Sequence, residues 1–403
     1  MSQSLNSYYP VIIEVGSGYI RAGFAGESVP SVFYRLAPVE TIDQANDKLP
    51  PCYELNESSI EKEHYDEIFF KWIQKDEKIK KIAQAYQADK KNWATIKSRS
   101  SRLLLSVFQE LFGAHLLISP SKVKVIFVDD NYSLLTKITL CELLIERIGL
   151  RSLLWVPKAC LSVAGAHECD GLVVDILWGS LAITPIIDFR TLDTFVDLKH
   201  LSGKLLYYKL LEKLIEIDDP DVNSLLSRST SHSLLVNFIL NAMYVKSEYN
   251  ENDWNDMFEL SEGTVIPNSV RFEIIESCYL QESDLCKTIT NVIGKSDLDV
   301  RSSLLQNIVI TGDLSSIPGF KLKLLLAISR ESNRDCQLRN TLGAWSSCSL
   351  YCSTTLANIN NNLWKGQEIT KQNLKNCLSE NGFNLSLFPD SYNELYRMRN
   401  VSQ

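Results

Sequence analysis

The residues that could do chemistry begin with a glycine-rich turn near the start of the sequence. In VIIEVGSGYIRAGF, residues 11–24, the triplet Gly16-Ser17-Gly18 lies between two runs of strand-forming residues, with Glu14 in the first run and Arg21 in the second. The backbone N–H groups of such a turn can form a nest for phosphate oxygens, and glycine allows their close approach. Glu14 would then hold a metal ion through water beside the phosphates. An ordinary tight turn has the same composition, so this hairpin alone leaves both interpretations open.

A second segment repeats the pattern. LVVDILWGSLAITP, residues 172–185, aligns without a gap with the first hairpin, so that Asp175 matches Glu14 and Gly179 matches Gly18, at an offset of 161 residues (175 − 14 and 179 − 18). Two strand–turn–strand hairpins, each with an acidic residue toward the end of its first strand, indicate two related halves. A chance match of so short a segment is the alternative.

A third segment could also contact phosphate. NIVITGDLSSIPGFKLKLLLAI, residues 307–328, predicts a strand, a turn containing Gly312, and then a helix. We expect Ser315 or Ser316 to cap this helix and Pro318 to lie in its first turn. Because helix N-termini attract anions, the order hairpin, hairpin, strand–turn–helix is more specific than any one of the three segments.

Alternating strand and helix patterns must position these turns, and they predict an α/β fold. Short apolar runs predict buried strands at 11–15, 123–128, 171–177 and 307–312. Apolar residues spaced three and four apart predict helices over 101–117 and 201–217, the second with Ser202 as its N-cap. Residues 37–100 carry most of the charge clusters, and the sequence specifies their structure weakly.

Composition narrows the classes of function. With 403 residues and 45% hydrophobic side chains, the chain can bury one large core or two moderate ones. The net charge of −8 argues against direct nucleic-acid binding through a basic surface. We expect no membrane insertion, because no run approaches the ~20 apolar residues of a spanning helix, and no secretory signal is visible. The ten cysteines lack metal spacing, which favours reduced core thiols of an intracellular protein and no metal site.

The sequence resembles the actin superfamily, most clearly in SGYIRAGFAGE, residues 17–27. The likeness covers nearly the whole chain and is loose at 37–100 and 220–300. Within the superfamily, residues 110–130 and the pair Ala344-Trp345 most resemble the actin-related proteins ten and eleven, the pointed-end type of dynactin subunit. The resemblance implies an α/β actin-like fold, the architecture of the actin, Hsp70 and hexokinase ATPases, with two related halves around a nucleotide cleft.

The resemblance also implies four subdomains. Subdomain 1 comprises 1–36, 101–170 and 335–403, the divergent subdomain 2 is 37–100, subdomain 3 comprises 171–202 and 300–334, and subdomain 4 is 203–299. A rebuilt subdomain 2 would prevent addition of a further subunit; a divergent surface insertion is the alternative.

Several residues match nucleotide-binding positions of the family, as vestigial or structural contacts: Gly16, Ser17, Gly18, Arg21, Asp175, Gly179 and Gly312. Other positions depart from the family. Leu177 and Trp178 replace a Gly-Asp pair, and Asp313 replaces a glycine, where an unpaired carboxylate would repel polyphosphate.

Lys158 and Ala182 stand where the family has the glutamine and histidine that position and activate the attacking water. A protonated lysine and an alanine cannot take a proton from water, so we expect a degenerate ATPase site without hydrolysis or a catalytic residue. No cofactor is expected to be required; ATP or ADP as a static ligand is the alternative.

A protein with an actin fold but without ATP hydrolysis is expected to be a structural subunit of a larger assembly. The resemblance implies a cytoplasmic, cytoskeletal subunit that caps the pointed end of the actin-related filament of dynactin. Its partners would be filament protomers and pointed-end dynactin subunits, with dynein contacted indirectly, and it would support microtubule-based transport and nuclear or spindle positioning. Candidate partner-binding residues are Trp345, Tyr351 and Cys352, with a buried helix as the alternative. The alternative function is an actin-related subunit of a nuclear chromatin-remodelling complex.

Overall fold

The chain forms two compact units, described from a computed structural model. The first unit comprises Met1–Leu161 and Gly343–Gln403, and the second comprises Ser162–Leu342. The structure describes residues 8–16, 19–35, 104–130, 132, 134–192, 194, 196–197, 201–226, 231–246, 256–281, 285–356 and 368–377. Ser17, Gly18, residues 37–100 and the C-terminal tail from 378 lie outside these ranges. The division into four subdomains stays a prediction.

The described strands alternate with helices along most of the chain, as predicted for an α/β protein. The strands are β1 (Tyr9–Val15), β2 (Tyr19–Phe24), β3 (Val32–Arg35), β4 (Val123–Asp129), β5 (Ser152–Pro157), β6 (Gly171–Ile176), β7 (Leu181–Ile187), β8 (Arg190–Thr191), β9 (Val196–Asp197), β10 (Met257–Ser261), β11 (Thr264–Pro267), β12 (Ile308–Thr311) and β13 (Ile369–Thr370). The four buried strands expected from apolar runs are therefore confirmed as β1, β4, β6 and β12.

The two longest described helices, Gly203–Ile217 and Phe320–Ser332, lie in the second unit. The described helices are α1 (residues 104–110), α2 (Leu134–Cys141), α3 (Lys158–Ala164), α4 (Gly203–Ile217), α5 (Pro220–Leu226), α6 (Ser231–Asn241), α7 (Val270–Glu276), α8 (Leu285–Lys295), α9 (Arg301–Gln306), α10 (Phe320–Ser332), α11 (Ala344–Tyr351) and α12 (Lys371–Cys377). Helices α1, α2, α7 and α11 continue as wider π-helical turns. No helix in the described ranges is long and apolar enough to cross a membrane.

The first unit is built on a sheet with the strand order β13-β5-β4-β1-β2-β3. Strands β1, β4 and β5 are parallel, so their carboxyl ends meet at one edge of the sheet. Apolar side chains cover both faces, which is why these strands have continuous apolar sequences. On one face Trp345 of α11 packs against Ile12 and Ile126, and its Nε1–H donates to the Ile12 carbonyl at 3.3 Å.

The second unit contains a sheet with the order β12-β6-β7-β8, in which β9 also pairs with β7. Strands β12 and β6 are parallel, with Thr311 beside Asp175, while β6 and β7 form an antiparallel hairpin. A separate hairpin is made by β10 and β11. The carboxyl ends of β6 and β12 therefore lie side by side, and they bring the second hairpin turn next to the Gly312 loop.

The predicted start of the third segment's helix is wrong. Ser315 and Ser316 lie in a separate 3₁₀ turn, Asp313–Ser316, and α10 begins after Gly319. Gly319 has a φ of 80°, and a Cβ there would lie 2.8 Å from the Val245 carbonyl oxygen, so this backbone position needs glycine. The chain thus leaves the turn at Pro318 before it enters the helix.

The predicted N-cap of α4 is correct in position. Ser202 has an extended backbone at the N-cap, but its hydroxyl makes no capping hydrogen bond. The first two helical N–H groups, those of Gly203 and Lys204, instead donate to the carbonyls of Leu177 and Trp178, each at 3.0 Å. The second hairpin therefore caps this helix.

Candidate functional site

The first hairpin holds its charged residues in an internal ion pair. Glu14 is buried and lies directly opposite Arg21 in the β1–β2 register. Arg21 Nη1 is 3.3 Å from Glu14 Oε2, and the guanidinium carbon lies 4.4 Å from the centre of the Tyr19 ring. Any anion that binds Arg21 in this arrangement has to compete with the Glu14 carboxylate.

Gly16 is needed at its position for close packing. Its N–H donates to the Tyr19 carbonyl at 2.9 Å and closes the hairpin. A Cβ at Gly16 would lie 2.4 Å from Tyr19 Cζ, so the tyrosine ring packs directly against this glycine. The Gly16 N–H is therefore already bonded within the protein. Ser17 and Gly18, the other predicted turn contacts, lie outside the described residues.

Lys158 is the first residue of α3, immediately after β5. It is 6% exposed, and its Nζ lies 3.4 Å from Asp130 Oδ1, just beyond the end of β4. The neighbouring Asp129 pairs with Lys137, with 2.5 Å between Oδ2 and Nζ. A carboxylate beside an ammonium group stabilises its charge, so Lys158 is placed to donate hydrogen bonds rather than to accept a proton. The sequence signal for these contacts is the acidic pair Asp129-Asp130, which directly follows the strand predicted at 123–128 and was given no role there.

The second hairpin turn is closed by a tryptophan. Leu177 N–H donates to the Ser180 carbonyl at 2.8 Å, and Gly179 lies between them. The Trp178 side chain is 2% exposed; it packs against Gly203 and meets the Tyr207 ring edge-on at 6.4 Å between centroids. The turn therefore carries a large buried side chain that packs on the first turns of α4.

The third loop packs on the second hairpin through Gly312 and Asp313. Gly312 has a φ of 95°, and a Cβ there would lie 2.4 Å from the Ile176 carbonyl oxygen. Asp313 Oδ2 accepts a hydrogen bond from the Trp178 backbone N–H at 3.1 Å. The expectation of an unpaired Asp313 carboxylate is therefore wrong, because its partner comes from a turn 135 residues earlier in the chain.

Asp175 is buried at the end of β6, between Ala182 of β7 and Thr311 of β12. Ala182 offers no group that could relay a proton. Among the described residues, no group of three or more His, Cys, Asp or Glu side chains is arranged to hold a metal ion. In the second unit the structure thus brings Asp175, Gly312 and Asp313 to the same sheet edge, without a second acid–base residue from Ala182.

The three candidate partner-binding residues lie on α11 and its continuation. Trp345 and Cys352 are buried in the apolar cluster over β1 and β4, which supports the alternative of a buried helix for these two side chains. Tyr351 packs against the same cluster and stays partly exposed. Burial raises the pKa of Tyr351 and raises that of Cys352 to about 12. Of these three residues, Tyr351 is the one whose side chain is partly exposed and could contact a partner.

Comparison with known proteins adds a family-level finding. The sequence model of the family described as "Actin" matches residues 6–225, a span of 220 residues (225 − 6 + 1) and more than half of the chain. The chain is also similar to centractin from Saccharomyces cerevisiae (strain ATCC 204508 / S288c). The two are 24% identical over 357 residues, which cover 81% of this chain and 84% of centractin. The family match includes both hairpins and ends before the Gly312 loop.

Proposed function

Because the chain belongs to the actin family and is an actin-related protein, we propose that it is a non-catalytic structural subunit at the pointed end of the actin-related filament of dynactin. The observation that carries the non-catalytic part is the ion pair between Lys158 and Asp130. In the family, a glutamine at the Lys158 position orients the attacking water. Here that position holds a cation that is already paired within the protein.

Hydrolysis of a phosphoanhydride requires an oriented water and a group that takes or relays its proton. Lys158 is a hydrogen-bond donor, and Ala182 has no polar side-chain atom. The second hairpin adds the buried Trp178 side chain, and its backbone N–H is bonded to Asp313. These contacts support a protein that needs no cofactor and has no ATPase activity. On this proposal, Gly16, Arg21 and Asp175 have kept structural roles within their own units.

The finer assignment rests on the likeness of residues 110–130 and Ala344-Trp345 to the pointed-end subunit type. The similarity to centractin supports a place among the actin-related proteins. On this proposal the partners are the filament protomers and the other pointed-end subunits, with dynein contacted indirectly, and the location is cytoplasmic and cytoskeletal. Capping requires one docking face and one face that accepts no further protomer. We assign the second property to residues 37–100, which lie outside the described residues.

The test is native purification of the tagged full chain from its own cells, followed by identification of the co-purifying proteins. We expect a short actin-related filament together with dynein-associated subunits. Recovery of chromatin-remodelling subunits, or of the chain alone, would contradict the proposed function.

A matched pair of variants tests the docking residue. We expect Tyr351→Asp to reduce recovery of the filament, because a carboxylate on this partly exposed position would disfavour an apolar contact. Tyr208→Asp, at a partly exposed tyrosine of α4 in the second unit, is the control, and the filament should be recovered with this variant as with the wild type. Thermal unfolding of both variants shows whether each is folded. Equal recovery of the filament by folded Tyr351→Asp and the wild type would exclude Tyr351 from the docking face.

A further inference from the structure

We propose that the Asp313 carboxylate is an internal substitute for a bound phosphate, which satisfies the turn of the second hairpin and allows this unit to keep its fold without an anionic ligand. The inference concerns the second unit alone and goes beyond the proposed assembly role, on which it does not depend.

The first observation is the contact itself. The Trp178 N–H belongs to the tight turn between β6 and β7, and its acceptor is Asp313 Oδ2 at 3.1 Å. A hydrogen bond from a turn N–H to an ionised oxygen is the interaction by which backbone nests hold phosphate. Here the negative charge is supplied by the protein.

The second observation is that the backbone fixes the position of this carboxylate. A Cβ at Gly312 would lie 2.4–2.6 Å from the O, C and N atoms of Ile176, so the loop after β12 lies directly against the end of β6. The next residue, Asp313, begins a 3₁₀ turn in which Ser315 N–H donates to the Gly312 carbonyl and Ser316 Oγ–H donates to the Asp313 carbonyl, each at 3.1 Å. Asp313 is therefore held beside the hairpin by its own loop.

The third observation is that two carbonyl groups of the turn bind the following helix. The Leu177 and Trp178 carbonyls accept the N–H groups of Gly203 and Lys204, the first residues of α4. The Trp178 indole fills the space against Gly203. The N-terminus of α4 is therefore capped by the hairpin, and an anion that approached Trp178 N–H would have to displace Asp313 against like-charge repulsion.

The experiment is thermal unfolding of the purified full chain with and without sodium tripolyphosphate at millimolar concentration. The expected Tm of the wild type changes by no more than about 1 °C on addition, since its turn is already occupied. Asp313→Ala should lower Tm by about 4 °C, because the Trp178 N–H loses its charged acceptor. Tripolyphosphate should restore part of that loss, since the site is then free of the competing carboxylate.

Two further variants complete the test. Asp313→Asn keeps an acceptor oxygen but loses the charge, so we expect a smaller loss of Tm; it also serves if Asp313→Ala does not fold. Asp299→Ala removes an exposed carboxylate from the same unit and should behave as the wild type. The inference is overturned if Asp313→Ala and Asp313→Asn unfold at the wild-type Tm, or if tripolyphosphate stabilises the wild type as much as Asp313→Ala. These unfolding results are independent of the test of the proposed function, which depends on the proteins that co-purify with the tagged chain.

Discussion

Single charged residues at the carboxyl ends of β4 and β5 are neutralised by other side chains of the first unit. Asp129 and Lys137 form one buried pair, and Asp130 and Lys158 form a second. A buried ion pair adds little stability over apolar residues of the same size, but loss of one partner leaves an uncompensated charge in a low dielectric. The pairs therefore make each of these positions sensitive to single substitutions.

Asp129→Asn should lower the free energy of unfolding by about 3–5 kcal/mol, because Lys137 then stays buried without its counter-charge. The substitution keeps the Oδ1 acceptor for the Tyr132 N–H, which isolates the effect of charge. Chemical denaturation of the full chain measures it.

Two control variants test whether the loss of stability in Asp129→Asn comes from the buried charge. The double variant Asp129→Asn, Lys137→Met should recover part of the loss, since it also removes the stranded charge. Glu212→Gln breaks an exposed pair with Lys209 and should change stability by less than about 1 kcal/mol. A loss in Asp129→Asn no larger than in Glu212→Gln would contradict the assigned ion pair.

At the scale of elements, the second hairpin and α4 are locked together by a glycine. A Cβ on Gly203 would lie 2.7 Å from Trp178 Cε3 and 3.1 Å from its Cα. The indole is fully packed, so it cannot move aside without disturbing the Tyr207 contact. This contact explains why a glycine opens the helix.

Gly203→Ala should destabilise the protein by about 1–3 kcal/mol through overpacking, measured by chemical denaturation. Gly294→Ala is the matched control in α8, where nothing lies within 4 Å of the added Cβ. That change should be neutral or stabilising by up to about 1 kcal/mol, because alanine has the higher helix propensity. Equal effects of the two substitutions would rule out the packing of Trp178 on Gly203.

Helix α11 and the π-helical turn that continues it supply two buried thiols at a spacing of four residues, Cys348 and Cys352. Burial raises the pKa of Cys348 well above its ordinary value of 9.0 and that of Cys352 to about 12. In the unfolded chain these thiols lose their protons near pH 9, whereas in the folded chain they stay protonated. Their contribution to stability is therefore fully present below pH 9 and is lost as the pH rises toward 12.

We accordingly expect the free energy of unfolding to fall as the pH is raised from 9 to 10.5, by at most about 1.4 kcal/mol per pH unit for each buried thiol. Cys352→Ala should make the decline shallower, although the smaller side chain also lowers the stability below pH 9. Cys169→Ala, at an exposed thiol, should leave the slope unchanged. A slope identical in Cys352→Ala and the wild type would contradict the burial of this thiol.

Elements with a local signal could be predicted from the sequence, and elements set by distant contacts could not. Strands β1, β4, β6 and β12 were predictable because burial on both faces requires continuous apolar runs. The start of α10 was not, because it depends on the packing of Gly319 against Val245, 74 residues earlier (319 − 245). The hydrogen bond of Asp313 could not be predicted either, because its donor lies 135 residues earlier in the chain. The sequence identified the unusual carboxylate, and only the fold supplied its donor.

At the scale of the whole molecule, the chain belongs to the actin family, and each of its two units contains a sheet with one of the two predicted hairpins. In the family, a glutamine and a histidine position and activate the attacking water. The matching positions of this chain are Lys158, which is ion-paired with Asp130, and Ala182. We propose that this chain has the family's fold without its ATPase activity, and that it occupies a fixed place in an assembly.

Magnesium-dependent ATP hydrolysis by the purified full chain is the most direct measurement of this claim. We expect phosphate release no greater than that of the variant Asp175→Ala, because neither Lys158 nor Ala182 can activate a water. Magnesium-dependent turnover that clearly exceeds this background, and that Asp175→Ala abolishes, would show instead that the protein is an active ATPase.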